Sequence, residues 1–156
     1  MTISEPHLAV RCQTPGVPLT PRIRDFLVEL EELIDRTEAP GLDREHIEIT
    51  TADAIALVRL PHRADPARTV ELQVDDHKVV VSYGGEPLHL RPRTFALQFV
   101  AAVLGGRVDI EVRQNVLWRT TRSYLDGSPR PFLLTRMPVP SLRPRRERRR
   151  VGFGDA

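Results

Sequence analysis

The densest cluster of chemically active side chains in this sequence is a run of arginines between residues 143 and 150. Glu147 is the only acidic residue within the run. Guanidinium groups stay protonated at physiological pH and match the geometry of phosphate and carboxylate oxygens. The run therefore predicts a segment that binds polyanions such as nucleic acid, with salt-sensitive affinity. Its members are Arg143, Arg145, Arg146, Arg148, Arg149 and Arg150.

The rest of the chain is mildly acidic. Residues up to Leu142 carry 17 of the 23 basic and 19 of the 21 acidic side chains, a net charge of −2. The basic character thus belongs to the end of the sequence, where an acidic protein surface or an anionic membrane is an alternative partner. A solubilising extension is a further alternative, since Lys78 is the only lysine and arginine dominates throughout.

Two groups of side chains resemble catalytic or metal sites, and both have a structural explanation. Asp75, Asp76 and His77 resemble a ligand cluster, but they separate two strand patterns, where these residue types favour a turn. Asp109 and Glu111 lie on one side of a predicted strand, about 7 Å apart. Arginines in the same hairpin offer them ion pairs. We therefore predict no catalytic residues, no metal site and no cofactor, and a small enzyme of unknown class stays open as the third functional hypothesis.

Cysteine use and hydrophobicity indicate a cellular compartment. Cys12 is the only cysteine, so the fold does not depend on an internal disulfide. Residues 1–7 show no secretory signal, and no apolar stretch approaches the length needed to span a bilayer. We expect a cytoplasmic protein without a transmembrane segment.

The first predicted element is an amphipathic helix. Thr20 precedes Pro21, a pairing typical of a helix N-cap followed by proline at the first helical position. Apolar residues then recur at helical spacing from Ile23 to Ile34, and Pro40-Gly41 ends the pattern. A second helix is predicted over about 92–104, and it is apolar on nearly every side. Its cover is predicted to be the sheet plus the first helix, or another subunit.

Strand patterns lie before and after the second helix in the sequence. Residues 46–50 and 54–60 precede a hairpin formed by 69–74 and 78–83. A second hairpin pairs 107–113 with 117–125, and residues 132–135 add a short strand. The register of this second hairpin stays open, and a slip of one residue exchanges the faces of Trp118 and Arg119.

Together these elements predict an α+β fold with a mainly antiparallel sheet of five to seven strands and two helices packed on it, in the order α-ββββ-α-ββ(β). Residues 1–19 are predicted as an irregular, flexible arm with a short edge strand at residues 8–12, 20–137 as a single domain and 138–156 as a flexible tail rich in proline and arginine. This order resembles that of small secretion chaperones. The resemblance implies binding to other proteins and pairing through an apolar helix.

The leading hypothesis from the sequence is a non-catalytic protein-binding module, namely an adaptor, a chaperone-like protein or an immunity-type protein, in monomeric or homodimeric form. An accessory nucleic-acid-binding protein acting through the arginine run is the alternative. The partner is expected to be another protein or a second copy of the chain, with nucleic acid as the other choice. Interface candidates are aromatic, apolar or arginine side chains on the second helix and second hairpin, and they are Trp118, Arg119, Phe95, Phe99 and Val103.

Overall fold

Two helices and ten strands in two β-sheets form the fold of the residues that the structure describes. The structure is a computed structural model, and it describes residues 10–12, 18–83, 86–90, 92–125, 128–151 and 153. The helices are α1 (Pro21–Arg36) and α2 (Arg93–Leu104). The strands are β1 (Val10–Cys12), β2 (Glu48–Ala52), β3 (Ile55–Leu60), β4 (Val70–Val74), β5 (Val79–Tyr83), β6 (Glu86–Leu90), β7 (Val108–Gln114), β8 (Trp118–Leu125), β9 (Leu133–Pro138) and β10 (Arg145–Val151).

Helix α1 begins where the sequence predicts and ends four residues before Pro40. The Thr20 hydroxyl accepts a hydrogen bond from the backbone N–H of Ile23 at 3.4 Å, which satisfies one of the free donors of the first turn. At the other end Thr37 donates its hydroxyl hydrogen to the Leu33 carbonyl at 2.7 Å. The predicted stripe is buried, and its members are Ile23, Phe26, Leu27, Leu30, Leu33 and Ile34.

The first sheet contains the first predicted hairpin. Its strand order is β1-β2-β3-β4-β5-β6, antiparallel except for the parallel pair of β1 and β2. Strands β4 and β5 pair across a turn in which the Asp75 carboxylate accepts the backbone N–H groups of His77 and Lys78, both at 2.7 Å. Alternate side chains of β4 and β5 are buried. The group of Asp75, Asp76 and His77 is therefore a turn motif.

Of the two outer strands of the first sheet, β1 lies within the predicted edge strand, whereas β6 was not predicted. Strand β1 forms the edge beside β2, whereas the remainder of the predicted 1–19 arm, apart from residues 18–19, lies outside the described residues. Strand β6 at the opposite edge follows two glycines and contains Pro87, so its sequence does not resemble a strand. An edge strand tolerates proline because it has ladder partners on only one side.

A second sheet, of order β10-β7-β8-β9, replaces the single sheet of the prediction. Gln114 pairs with Arg119 across the β7–β8 turn, and this settles the register that the sequence left open. Asn115 fixes the turn, because its side-chain oxygen accepts the backbone N–H groups of Leu117 at 3.0 Å and Trp118 at 2.6 Å. As a result Arg119 shares a face with the buried Val112, while Trp118 lies on the opposite face.

The prediction of a flexible arginine-rich tail is wrong for Arg145–Val151, which forms strand β10 along the edge of β7. Two features explain the order. The run pairs with β7, where Arg148 and Arg150 bond to Asp109, and an anchor follows it at Phe153, whose side chain is fully buried. The backbone N–H of Phe153 donates to the Val103 carbonyl at 3.0 Å, its carbonyl accepts from Gly41 at 2.9 Å, and its ring stacks on His62 with centroids 5.6 Å apart.

Helix α2 is covered by the chain itself. It contacts α1 and strands β5 and β6, and Phe95 and Phe99 stack on Phe132, which immediately precedes β9, with centroids 4.6 and 6.3 Å apart. Phe99 and Val103 belong to the hydrophobic core. Of the two covers that the sequence left open, the structure supplies the intramolecular one.

Candidate functional site

Strand pairing sorts the arginines of the second sheet onto two faces. Residues that pair directly across an antiparallel ladder point to the same side of the sheet. Arg146, Arg148 and Arg150 of β10 pair with Arg113, Glu111 and Asp109 of β7. We call the side on which these residues lie the outer arginine face. Its charged and aromatic members among the described residues are Asp109, Glu111, Arg113, Trp118, Arg122, Tyr124, Arg136, Arg146, Arg148 and Arg150.

Glu111 lies at the centre of the outer arginine face. Its side chain is only 5% exposed because arginines from three strands surround it. Arg113 donates a hydrogen bond to it, and Arg146 Nε and Arg122 Nη1 lie 3.5 and 3.8 Å from its Oε1. Burial alone would raise the pKa of Glu111, but the hydrogen bond from Arg113 and the charges of Arg113, Arg146 and Arg122 lower it below its ordinary value. Glu111 therefore stays ionised and holds the three guanidinium groups together.

Asp109, two residues before Glu111 on β7, also holds guanidinium groups together. Arg150 Nε donates to its Oδ1 at 3.1 Å, and Arg148 Nη2 donates to its Oδ2 at 3.4 Å. The hydrogen bond from Arg150 lowers the pKa of Asp109 most, and it outweighs the opposing effect of burial. The charges of Arg150 and Arg148 lower this pKa further. Each carboxylate is thus shared by several arginines.

Two aromatic rings support guanidinium groups on the same face. The Arg136 guanidinium lies 4.5 Å from the ring centroid of Trp118, and that of Arg148 lies 5.3 Å from the centroid of Tyr124. A cation over an aromatic ring is attracted by the electron-rich face of the ring. Trp118 and Tyr124 are half-buried, so some of each ring remains accessible beside a positive charge. Trp118 is consequently a surface residue of the outer arginine face and does not pack against Val112.

The outer arginine face has a strong excess of positive charge. Among the described residues it carries six arginines from all four strands and two carboxylates, an excess of four positive charges. The guanidinium groups remain accessible although five of them belong to ion pairs, since the side chains of Arg146, Arg148 and Arg150 are more than half exposed. A multivalent anion can therefore contact several of them at once.

The remaining arginines of the predicted run lie elsewhere. Arg145 and Arg149 are on the opposite side of β10, where both contact Glu147, and Arg143 precedes the strand. Arg119 of β8 shares that inner side. Its pKa is lowered, first by burial and then by the charges of Arg145 and Arg149. The predicted polyanion-binding arginines are thus divided between the two faces of β10 and the segment before it, which the sequence did not predict.

The predicted interface residues do not form one surface. Phe99 and Val103 are fully buried, so their side chains are not accessible to a partner in this fold. Phe95 is half-buried against Phe132. Trp118 and Arg119 lie on opposite sides of the second sheet, so each belongs to a different surface.

Other site types find little support among the residues that the structure describes. No three histidine, cysteine, aspartate or glutamate side chains there are grouped closely enough to hold a metal ion. Helices α1 and α2 are the long helices of these residues, and neither is long and apolar enough to cross a bilayer. Cys12 lies on β1, where it pairs with Thr51 of β2.

Four members of the outer arginine face were not among the candidate functional residues that the sequence analysis considered. They are Arg113, Arg122, Tyr124 and Arg136. A signal for them was present, because Asp109 and Glu111 alternate in β7 at the same two-residue period as Arg146, Arg148 and Arg150. Complementary alternating charges are typical of neighbouring strands.

Comparisons of this chain with family models, with curated proteins and with solved structures give no match. The site therefore has to be interpreted from its own geometry.

Proposed function

We propose that the protein binds nucleic acid through the outer arginine face. The observation that carries this proposal is the excess of four positive charges on one side of a four-stranded sheet. A row of phosphates is the partner that satisfies many guanidinium groups at regular spacing. Trp118 and Tyr124 lie among the arginines, where an unpaired base can stack on the accessible area of a ring.

The shared carboxylates favour binding to a backbone over recognition of particular bases. Asp109 and Glu111 hold five guanidinium groups in place before a ligand arrives, so fewer side chains have to be ordered on binding. Arginine contacts to phosphate position a nucleic acid and carry no sequence information. We therefore expect weak dependence on sequence and strong dependence on salt.

The proposal is tested by fluorescence anisotropy with labelled 20-nucleotide single strands and the matching duplex. We expect micromolar affinity at low salt and a slope of about −3 to −4 in a plot of log K against log salt concentration, the value for roughly four neutralised phosphates. The variant Arg146→Gln/Arg148→Gln/Arg150→Gln should bind at least about tenfold more weakly, with a slope reduced by about 2 to 3.

A matched control removes the same charge from another surface. Arg22, Arg24 and Arg36 are exposed on α1, and their triple change to glutamine should leave the affinity within about twofold. Equal losses of affinity in the two triple variants would show that binding depends only on the net charge of the protein, and this would contradict the proposal. Tighter binding to phosphatidylserine vesicles than to either oligonucleotide at the same salt would assign the face to membranes instead.

A second candidate function is protein binding, and an apolar tip of the second sheet favours it. Val116 and Leu117 in the β7–β8 turn are more than half exposed, and Leu142 is 98% exposed. The backbone N–H of Ser141 donates to the Val116 carbonyl at 3.1 Å, which holds the two apolar segments side by side. Large apolar side chains grouped at one tip are typical of a contact surface for another protein.

A further inference from the structure

A cavity of about 400 Å³ lies at one end of the inner side of the second sheet. Arg145, Gln114 and Arg119 stand side by side on β10, β7 and β8, so two guanidinium groups flank one amide on three adjacent strands. Neighbouring strands are about 4.8 Å apart. Arg143 completes the charged lining from the segment before β10. We call this cavity the arginine pocket.

The segment that joins β9 to β10 forms one wall of the arginine pocket, and hydrogen bonds hold it in place. The side-chain amide of Gln114 donates to the Val139 carbonyl at 2.7 Å and to the Asn115 carbonyl at 2.8 Å. The Ser141 hydroxyl donates to the Arg143 carbonyl at 3.2 Å. These bonds fix the segment from Val139 to Arg143 against the end of the sheet. The pocket therefore exists before a ligand enters.

Positive charge is concentrated in and beside the pocket. Arg119, Arg143 and Arg145 line it, and Arg149 follows on the same side of β10. The nearby carboxylate is that of Glu147, which is already engaged by Arg145 and Arg149. Like charges lower the pKa of the half-buried Arg119 after the larger effect of burial. A bound dianion would offset this repulsion.

We propose that the arginine pocket binds a phosphate monoester of about mononucleotide size. Guanidinium groups match phosphate oxygens in geometry and charge, and Val112, Val139 and Pro140 add an apolar lining for the organic portion of the ligand. The volume lies within the range of small-molecule sites. The pocket is on the opposite side of the sheet from the outer arginine face, so this inference does not depend on the proposed function.

The test is isothermal titration calorimetry with inorganic phosphate, uridine 5′-monophosphate and uridine, at constant ionic strength. We expect the two phosphates to bind and uridine not to bind. Arg145→Gln should weaken the affinity for uridine 5′-monophosphate at least about tenfold, because a charged hydrogen-bond partner is lost. Arg24→Gln removes the same charge from an exposed position on α1, and its affinity should stay within about twofold of the wild type.

Two further variants keep the test independent of folding defects. Arg143 is exposed and precedes β10, so Arg143→Gln should fold normally and still weaken binding. Arg119→Lys keeps the charge but loses the planar fork, and it should also weaken binding. Absence of binding to both phosphates, or equal losses in Arg145→Gln and Arg24→Gln, would overturn the proposal.

A dinucleotide with or without a 5′-phosphate identifies the source of the phosphate. Stronger binding of the 5′-phosphorylated form than of uridine 5′-monophosphate would assign the pocket to the end of a nucleic-acid chain. Stronger binding of the mononucleotide would assign it to a free nucleotide. Nucleic-acid binding by the outer arginine face is tested separately. Its assay uses oligonucleotides with a 5′-hydroxyl end, which lack the phosphate monoester that the arginine pocket is proposed to bind.

Discussion

Glu111 shows what a buried carboxylate contributes on a surface rich in arginine. It is almost fully covered, yet its pKa lies below its ordinary value because three guanidinium groups surround it. Without it, Arg113, Arg122 and Arg146 would repel one another across three strands. A single acidic residue thus permits a cluster of positive charge that would otherwise destabilise the sheet.

We predict that Glu111→Gln lowers the free energy of unfolding at pH 7 by about 1–3 kcal/mol, the range for losing hydrogen bonds to a charged group. The pH dependence follows from the direction of the pKa shift. A carboxylate whose pKa is lowered by folding stabilises the protein above its unfolded pKa, ordinarily about 4.5, and loses that contribution as the pH falls through the lower folded value.

Urea unfolding between pH 7 and pH 3 measures both effects. The wild type should lose stability on acidification, and Glu111→Gln should lose less over the same interval. Glu71→Gln serves as the control, since its carboxylate is exposed and lies 4.0 Å from Arg59, and it should change stability by less than about 0.5 kcal/mol. Parallel pH curves for wild type and Glu111→Gln would contradict the assignment.

At the scale of elements, strand β10 connects the two charged surfaces. Its even-numbered arginines face outward and its odd-numbered ones line or adjoin the arginine pocket. The strand is an edge strand, and its ladder to β7 is supplemented by the anchor at Phe153. Removing that anchor should release the strand while leaving the rest of the core intact.

We predict that Phe153→Ala makes β10 sensitive to trypsin. Trypsin cleaves after arginine only in an extended, accessible segment, and a paired strand presents that conformation only when it opens. The substitution should destabilise the fold by about 3–5 kcal/mol, the range for deleting a buried aromatic ring. Mass spectrometry of a limited digest should show early cuts between residues 145 and 150.

Phe26→Ala is the matched control for this experiment. Phe26 is fully buried in α1 and belongs to the same core cluster. If Phe153 anchors β10 locally, a Phe26→Ala variant with the same loss of stability should not be cleaved first between residues 145 and 150. The same first cuts in both variants would show that only global unfolding exposes the strand.

Local sequence signals predicted some elements well and failed for others. The Thr20 cap with the stripe after it, and the alternation on both sides of Asp75, are complete within a few residues, so α1 and the β4–β5 hairpin could be predicted. Strand β10 could not, because arginine and proline favour extended, solvated chain. Its order depends on β7, Val103 and Gly41, which lie far away in the sequence.

At the scale of the whole molecule, the two charged surfaces and the apolar tip all belong to the second sheet. The first sheet and the helices supply most of the core that supports it. Because α2 is covered within the chain, its apolar character no longer indicates a dimer. A homodimer would therefore form through the exposed apolar side chains at the tip of the second sheet.

Light scattering coupled to size exclusion tests the protein-binding candidate in its homodimeric form. That candidate predicts association that increases with concentration and is abolished in Leu117→Ser/Leu142→Ser, because the exposed apolar area is lost. Gln98→Arg places a charge on the exposed side of α2 and should leave association unchanged. A dimer that persists in the tip variant and dissociates in Gln98→Arg would contradict this placement.

The position of Phe153 also has a consequence for how the protein is made. A ribosome releases the chain in order, so both sheets are synthesised before the residue that packs between the end of α2 and the loop after α1. Until then the edge of β7 lacks its partner, and the core beside His62 is open. Unpaired edges and exposed cores promote aggregation of nascent chains. The arginines of β10 thus reach the unfinished molecule after both helices and the other described strands, and they bring to its open edge a charge that repels other copies of the same chain.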